Sequence, residues 1–427
     1  MEEAKREVVL TRLVAGRMSA EDAALVLGLS LRSIRRLRSA FVARGPAALV
    51  HGNRGRAVAH RLDPALVKRV VAFARDRYAG CNDSHLTDLL REREGIVLSR
   101  ASVQRILRGA GIPSPRRHRR AAYRRRRERR SAAGMLVQVD ASRHRWFGPN
   151  AAHAALVGAI DDATGTVLGA VFRDHEDVAG YLAVLELLLR GYGVPLAAYS
   201  DRHSIFFASP RERESIEEEL LGRREPTQLG RAFGELEIEL IFAHSPQAKG
   251  RIERLWGTFQ DRLVAELRLA KVDTLAAANR FLPGYIARHN ARFAIAATDA
   301  LPAWRALPAG RSIESVCCIK SSRIVAANNT IGFEGVVVQL PPRSSGGWAH
   351  ERVECRQYLD GSFSVHAPGG RELARSAVPA SVPTLRVRYA RAPISGVQPL
   401  ARDREHPWRK YDERRFKGRV PFGPRTA

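Results

Sequence analysis

Three acidic residues suggest the chemistry this chain could do. Asp140 ends the apolar run at residues 135–139, and Asp201 ends the run at 194–200. Glu253 lies in the segment His244-Ser245-Pro246-Gln247-Ala248-Lys249-Gly250-Arg251-Ile252-Glu253. If both runs are neighbouring strands of one sheet, their C-terminal ends converge, and a flanking helix can bring the glutamate to the same point. Three carboxylates held together repel one another unless divalent cations bridge them. Hard oxygen donors that leave room for water and phosphate oxygens suit Mg2+ or Mn2+.

The elements that must position these residues follow from local pattern. Residues 135–140, 154–160 and 167–172 read as a β-meander, with Asp161-Asp162-Ala163-Thr164-Gly165 as a hairpin turn. Residues 181–192 read as an amphipathic helix with Leu182, Leu185, Leu188 and Leu189 on one face. Residues 194–201 and 238–243 read as the fourth and fifth strands. Ser245 as N-cap with Pro246 at the first helical position opens the helix that carries Glu253. The charged stretch 208–232 reads as an insert between these last two strands. Trp256, one turn after Glu253, reads as a core residue. His203 reads equally as a hydrogen-bonding neighbour of the carboxylates or as a loop residue.

Charge narrows the partner. The 427 residues carry 71 Lys+Arg and 44 Asp+Glu, a net charge of +27. The partition is +19 over residues 1–134, −3 over 135–300 and +11 over 301–427. A slightly acidic middle between basic flanks suits a nucleic-acid enzyme, whose carboxylates hold cations while its arginines hold phosphates. Double-stranded DNA is the expected partner, and a membrane is not. No run approaches the ~20 apolar residues of a membrane span, and no apolar stretch behind the N-terminus suggests a signal peptide. Cys81, Cys317, Cys318 and Cys355 make neither a disulfide framework nor a zinc spacing, as expected in a reducing cytoplasm.

Two helix-turn-helix patterns occupy the N-terminal third. In the first, Ser19 caps a short helix, Gly28 marks the turn and Ser30 caps a second helix carrying Arg32, Arg35, Arg36 and Arg38. In the second, a helix at 85–91 and a turn at 95–99 precede a helix at 100–108 with Arg100 and Arg105. Ten of the sixteen residues at 115–130 are arginine, Arg124, Arg125 and Arg126 among them. This arm is expected to neutralise phosphates, and Lys249 and Arg251 are expected to contact phosphate beside Glu253.

These segments together resemble the bacterial insertion-sequence transposases of the DDE type, with a retroviral-integrase-like catalytic core, and within them the ISNCY-type group. The resemblance rests on Val137-Gln138-Val139-Asp140 with Trp146-Phe147, on Ile160-Asp161-Asp162-Ala163-Thr164-Gly165, on Tyr199-Ser200-Asp201-Arg202-His203-Ser204-Ile205-Phe206, and on residues 243–253. It covers about residues 1–300. It implies an RNase-H-like fold with Asp140, Asp201 and Glu253 as catalytic and metal-binding triad. The 51 residues between Asp201 and Glu253 are a longer stretch than in the retroviral integrases, the excess falling in 208–232.

The expected architecture is therefore multidomain. An all-α region holds helix-turn-helix domains at 1–58 and 59–114, and an Arg-rich linker follows at 115–134. Next come an α/β RNase-H-like core at 135–300, a small all-β, SH3-like barrel at 311–375 and a basic tail at 376–427. The expected activity is cleavage and joining of DNA at terminal inverted repeats by phosphoryl transfer with two Mg2+ or Mn2+ ions, by a homo-oligomer assembled on DNA. The competing expectations are a helix-turn-helix regulator with an inactive core, and a nuclease that cuts without joining.

Overall fold

The computed structural model describes residues 2–50, 62–115, 127–200, 204–206, 226–242, 250–333, 335–343 and 346–376. The chain forms two compact units divided between residues 118 and 119.

The first unit is helical. It begins with α1 (Glu2–Val14), α2 (Ala20–Leu27) and α3 (Leu31–Arg44). The Ser19 hydroxyl accepts from the Asp22 amide at 3.0 Å and opens α2; Gly28, at φ +64°, ends it in the left-handed region that favours glycine. Ser30 repeats the capping at α3 through the Ser33 amide. Val9, Leu10, Leu13, Ala23, Ile34 and Leu49 form the core of this bundle. Then come α4 (Pro64–Arg75), α5 (Asp83–Glu94) and α6 (Arg100–Gly109). Helix α5 is longer at both ends than the expected 85–91, because Asn82 caps its start and Gly95 closes its end.

The second unit is an α/β core followed by small sheets. Strands β1 (Val137–His144), β2 (Ala154–Asp161) and β3 (Val167–Arg173) form the antiparallel meander. Helix α7 (Val178–Gly191) returns the chain to β4 (Ala197–Ser200), which pairs parallel with β1. Helix α8 (Gln228–Glu235) leads to β5 (Glu239–Phe242), parallel to β4. The sheet order is β3-β2-β1-β4-β5. Helices α9 (Gly250–Leu269) and α10 (Leu275–Phe293) complete the core. One face of the sheet packs on α7 and α8, the other on α9 and α10, so the sheet is the middle of three layers.

Two expectations are corrected here. Residues 228–232, read as part of an insert, begin α8, whose Leu229, Ala232 and Phe233 are buried in the core. Thr227 supplies the cap that starts this helix, accepting from the Gly230 amide at 3.0 Å. The SH3-like barrel is not what the strands form. After α11 (Ile313–Val316), the strands β6 (Ile319–Ile324), β9 (Arg352–Gln357), β10 (Phe363–His366) and β11 (Glu372–Arg375) make an open antiparallel sheet. Strands β7 (Thr330–Phe333) and β8 (Val336–Gln339) make a separate hairpin. Among the described residues no pairing joins the sheet's edges. Its apolar face is covered by packing instead, with Ile331 and Phe333 against Val353, Cys355, Phe363 and Val365.

The open sheet is fastened to the core through α8. Lys320 and Gln228 exchange two hydrogen bonds, at 2.7 and 3.0 Å, and Arg231 donates to the Cys318 carbonyl at 2.6 Å. Lys320 also pairs with Glu235 at 2.8 Å. Burial would raise the Glu235 carboxyl, but Lys320 and Arg231 hold it below its ordinary value. Among the described residues no helix is long and apolar enough to cross a membrane.

Candidate functional site

The seam between β1 and α9 is where the expected site chemistry gathers. Side chains alternate along a strand. Val137 and Val139 therefore enter the core cluster under α7, and Gln138, Asp140 and Ser142 face the other way, towards α9. Two strand residues advance about 6.6 Å, and four helix residues about 6.0 Å. The two repeats nearly match, so three successive rungs form. The Ile252 amide donates to Gln138 Oε1 at 3.2 Å, Trp256 Nε1 donates to Asp140 Oδ2 at 3.0 Å, and Gln260 Nε2 donates to Ser142 Oγ at 3.1 Å. Glu253 follows the first rung by one residue and precedes Trp256 by about one helical turn.

Asp140 is half-buried at the middle rung of this seam, and Glu253 is exposed, with no hydrogen bond or ion pair among the described residues. Both are hard oxygen donors of the kind that hold Mg2+ or Mn2+. Among the described residues no group of three metal-binding side chains stands together. Strand β4, paired with β1 at Gln138 and Tyr199, ends at Ser200. The next residue in the chain, Asp201, lies outside the described residues. So do His203, Lys249, the cap Ser245-Pro246, the tail from 377 onward, and Arg124, Arg125 and Arg126 of the arm.

The Asp161-Asp162 turn divides its two carboxylates between two tasks. Asp161 holds the turn, accepting from the Thr164 amide and hydroxyl at 2.8 Å and from the Gly134 amide at 2.9 Å. Asp162 points inward and is fully buried. It accepts from Gln138 Nε2 at 2.8 Å and from the Arg130 amide at 3.0 Å. It also pairs with Arg251 at 3.1 Å and with Arg127. One buried carboxylate thus ties together β1, the start of α9 and the last residues of the arginine arm.

The basic residues separate into two groups. Arg32, Arg35, Arg36 and Arg38 on α3 are exposed, as are Arg100 and Arg105 on α6. Arg251 differs: its side chain is 13% exposed and its charge is matched inside the core. Burial pushes its guanidinium below the ordinary value, and Asp162 acts in the opposite direction. Through Asp162, Arg251 binds the start of α9 to the core.

Two residues that shape the site were not singled out for it by sequence reasoning. Trp256 is buried at 6% exposure, as a core residue should be, but its N–H reaches Asp140. The only signal was its place one turn after Glu253. Asp162 gave none beyond its turn motif.

Comparison with known proteins adds four findings. Residues 8–67 match the winged helix-turn helix family. The putative transposase y4bF of Sinorhizobium fredii (strain NBRC 101917 / NGR234) is 36% identical over 367 residues, covering 86% of this chain and 79% of that protein. The transposase for insertion sequence IS1202 of Streptococcus pneumoniae is 34% identical over 327 residues, covering 69% of each. Among solved structures, the HTLV-2 integrase catalytic core domain in complex with magnesium (dimeric form) matches 36% of this chain and 86% of its own. It does so at 16% identity and a TM-score of 0.25, too low to bear on the fold. The identity to two transposases across most of each chain establishes that this protein belongs to the insertion-sequence transposases.

Proposed function

We propose that the chain is a DDE transposase that binds the terminal inverted repeats of its element and catalyses strand cleavage and strand transfer. Its core would be RNase-H-like and its site Asp140, Asp201 and Glu253. The observation that carries this reading is the β1–α9 seam, which holds Asp140 next to the helix turn bearing Glu253. The parallel pairing of β1 with the strand just before Asp201 supports it as well.

The three carboxylates would hold two Mg2+ or Mn2+ ions. When bound, such ions activate an attacking oxygen and stabilise the leaving one. The chain's own part is positional. The rungs keep Asp140 and the Glu253 turn in fixed relation. The exposed arginines of α3 and α6, with the 115–134 arm, neutralise phosphates and fix the duplex in register. Winged helix-turn-helix binding at 1–58 and a second helical DNA-binding domain at 59–114 would hold the element end while the 135–300 core reacts. The tail at 376–427 adds basic charge. Joining requires two ends together, so a multimer on DNA is expected.

The test is a strand-transfer assay with Mg2+ and labelled duplexes carrying the element's ends. The native protein should cut and join, and Asp201→Asn should do neither while still binding the duplex. Undiminished joining by Asp201→Asn would overturn the triad. Cleavage without joining by the native protein would mark a nuclease, and binding without cleavage a regulator.

A further inference from the structure

We propose that Trp256 is a positioning residue of the metal site, with its indole N–H fixing the orientation of the Asp140 carboxylate and Gly158 providing the slot that aims the ring. This rests on the reading of Asp140 as a metal ligand.

The ring is confined before it meets the carboxylate. Gly158 is the cross-strand partner of Asp140 on β2. A Cβ built on Gly158 would stand 2.8 Å from Trp256 Cη2, closer than real Cβ contacts come. It would also press on the Gly169 carbonyl at 3.3 Å and touch Ala170 Cβ at 3.4 Å. On its own helix, Trp256 stands edge-on to Phe259 at 6.1 Å between ring centroids. Packing therefore sets where the ring lies and where Nε1 points. The carboxylate follows the ring.

A buried indole N–H ordinarily finds a partner. Here the partner is a half-buried carboxylate at the proposed centre. Only Asp140 Oδ2 is engaged by the indole, at 3.0 Å. The hydrogen bond favours the carboxylate rotamer that keeps Oδ2 on the indole N–H. The neighbouring rungs, at Gln138 and Ser142, hold backbone and helix without touching a proposed ligand's side chain.

The experiment measures Mn2+ binding to the full-length protein by the EPR signal of free Mn2+, beside DNA binding and strand cleavage. Trp256→Phe keeps an aromatic ring and removes the donor. Gly158→Ala keeps the donor and displaces the ring. Both should weaken Mn2+ binding about tenfold or more, the usual effect of losing a group that orients a metal ligand. Both should bind duplex as the native chain does and recover cleavage at saturating Mn2+. Gln260→Ala, which removes only the Ser142 rung, should bind Mn2+ within about twofold of native, since no ligand's orientation depends on it. Asp140→Ala separates the two levels of the argument. If it loses Mn2+ while Trp256→Phe and Gly158→Ala bind like native, the positioning role is overturned and the ligand assignment stands. If Asp140→Ala itself binds like native, the ligand assignment fails. Should Trp256→Phe not fold by circular dichroism, Gly158→Ala decides. Equal weakening by Gln260→Ala would also overturn the proposal, because the seam as a whole would then be responsible.

Discussion

Replacing Asp162 by Asn removes one charge from the middle of the network and changes almost no volume. Two guanidiniums lose their counter-charge, with different consequences. Arg127 is 29% exposed and can turn to water, so its share is small, within about 1 kcal/mol. Arg251, 13% exposed, has no such freedom, and an ion left unpaired in the interior costs about 3–5 kcal/mol. The new amide nitrogen would also face a donor that Asp162 now accepts from, Gln138 Nε2 in the Oδ1 position or the Arg130 amide in the Oδ2 position. Gln138 cannot simply turn over, because its Oε1 already accepts from Ile252. The expected loss is about 4 kcal/mol, which for a core of this size lowers the melting temperature by roughly 10 °C. Urea denaturation of native and variant protein, followed by circular dichroism, measures it. Combining Asp162→Asn with Arg251→Met should recover part of the loss, because removing both members of a buried pair is far milder than removing one. A single-variant loss below about 1 kcal/mol, or a double variant less stable than the sum of its parts, would refute the reasoning.

Other outcomes are expected from the same structure. Arg32→Ala with Arg36→Ala should weaken duplex binding and reduce the slope of log affinity against log salt by about 0.9 for each phosphate no longer neutralised. Competition between specific and random duplexes, run at several salt concentrations, measures this, and an unchanged slope would exclude α3 from phosphate binding. His289 is buried between α9 and α10 beside Phe259 and Phe293, at 5.0 and 4.7 Å between ring centroids. Burial, aided by Arg262, pushes its imidazole down to about 4. An unfolded chain takes up that proton near 6.5, so the stability it contributes is complete above 6.5 and is lost as pH falls towards 4, by up to about 3 kcal/mol. His289→Gln should flatten that stretch of a stability-against-pH profile; an identical profile would assign the dependence elsewhere.

The parts of the fold legible in the sequence were those decided locally. Ser19, Gly28 and Ser30 act within four residues of themselves, and they mark the helix ends as expected. The meander was legible because its turn residues and apolar runs are contiguous. The parts that escaped depend on distant partners. Asp161 and Asp162 look alike in the sequence, but successive residues at a strand end point to opposite sides. One fell to the turn and the other to a network whose members lie 24, 35 and 89 residues away. Alternating residues in the C-terminal part showed strands but not whether their edges meet. The start of α8 was hidden in a charged stretch because its burial comes from the sheet, not from its own composition.

The near match between two strand residues and four helix residues has a consequence for how such a chain tolerates insertions and deletions during evolution. Residues gained or lost within 207–225, before α8 and β5, leave every rung of the seam in phase. One residue gained between Ile252 and Gln260 would rotate the rest of α9 by about 100° and put Gln260, or Trp256 as well, out of reach of its partner. The stretch 207–225 is therefore where length can change without cost to the seam, and the ruler from Ile252 to Gln260 is where it cannot, so a search for relatives of this protein should allow gaps in the first and forbid them in the second.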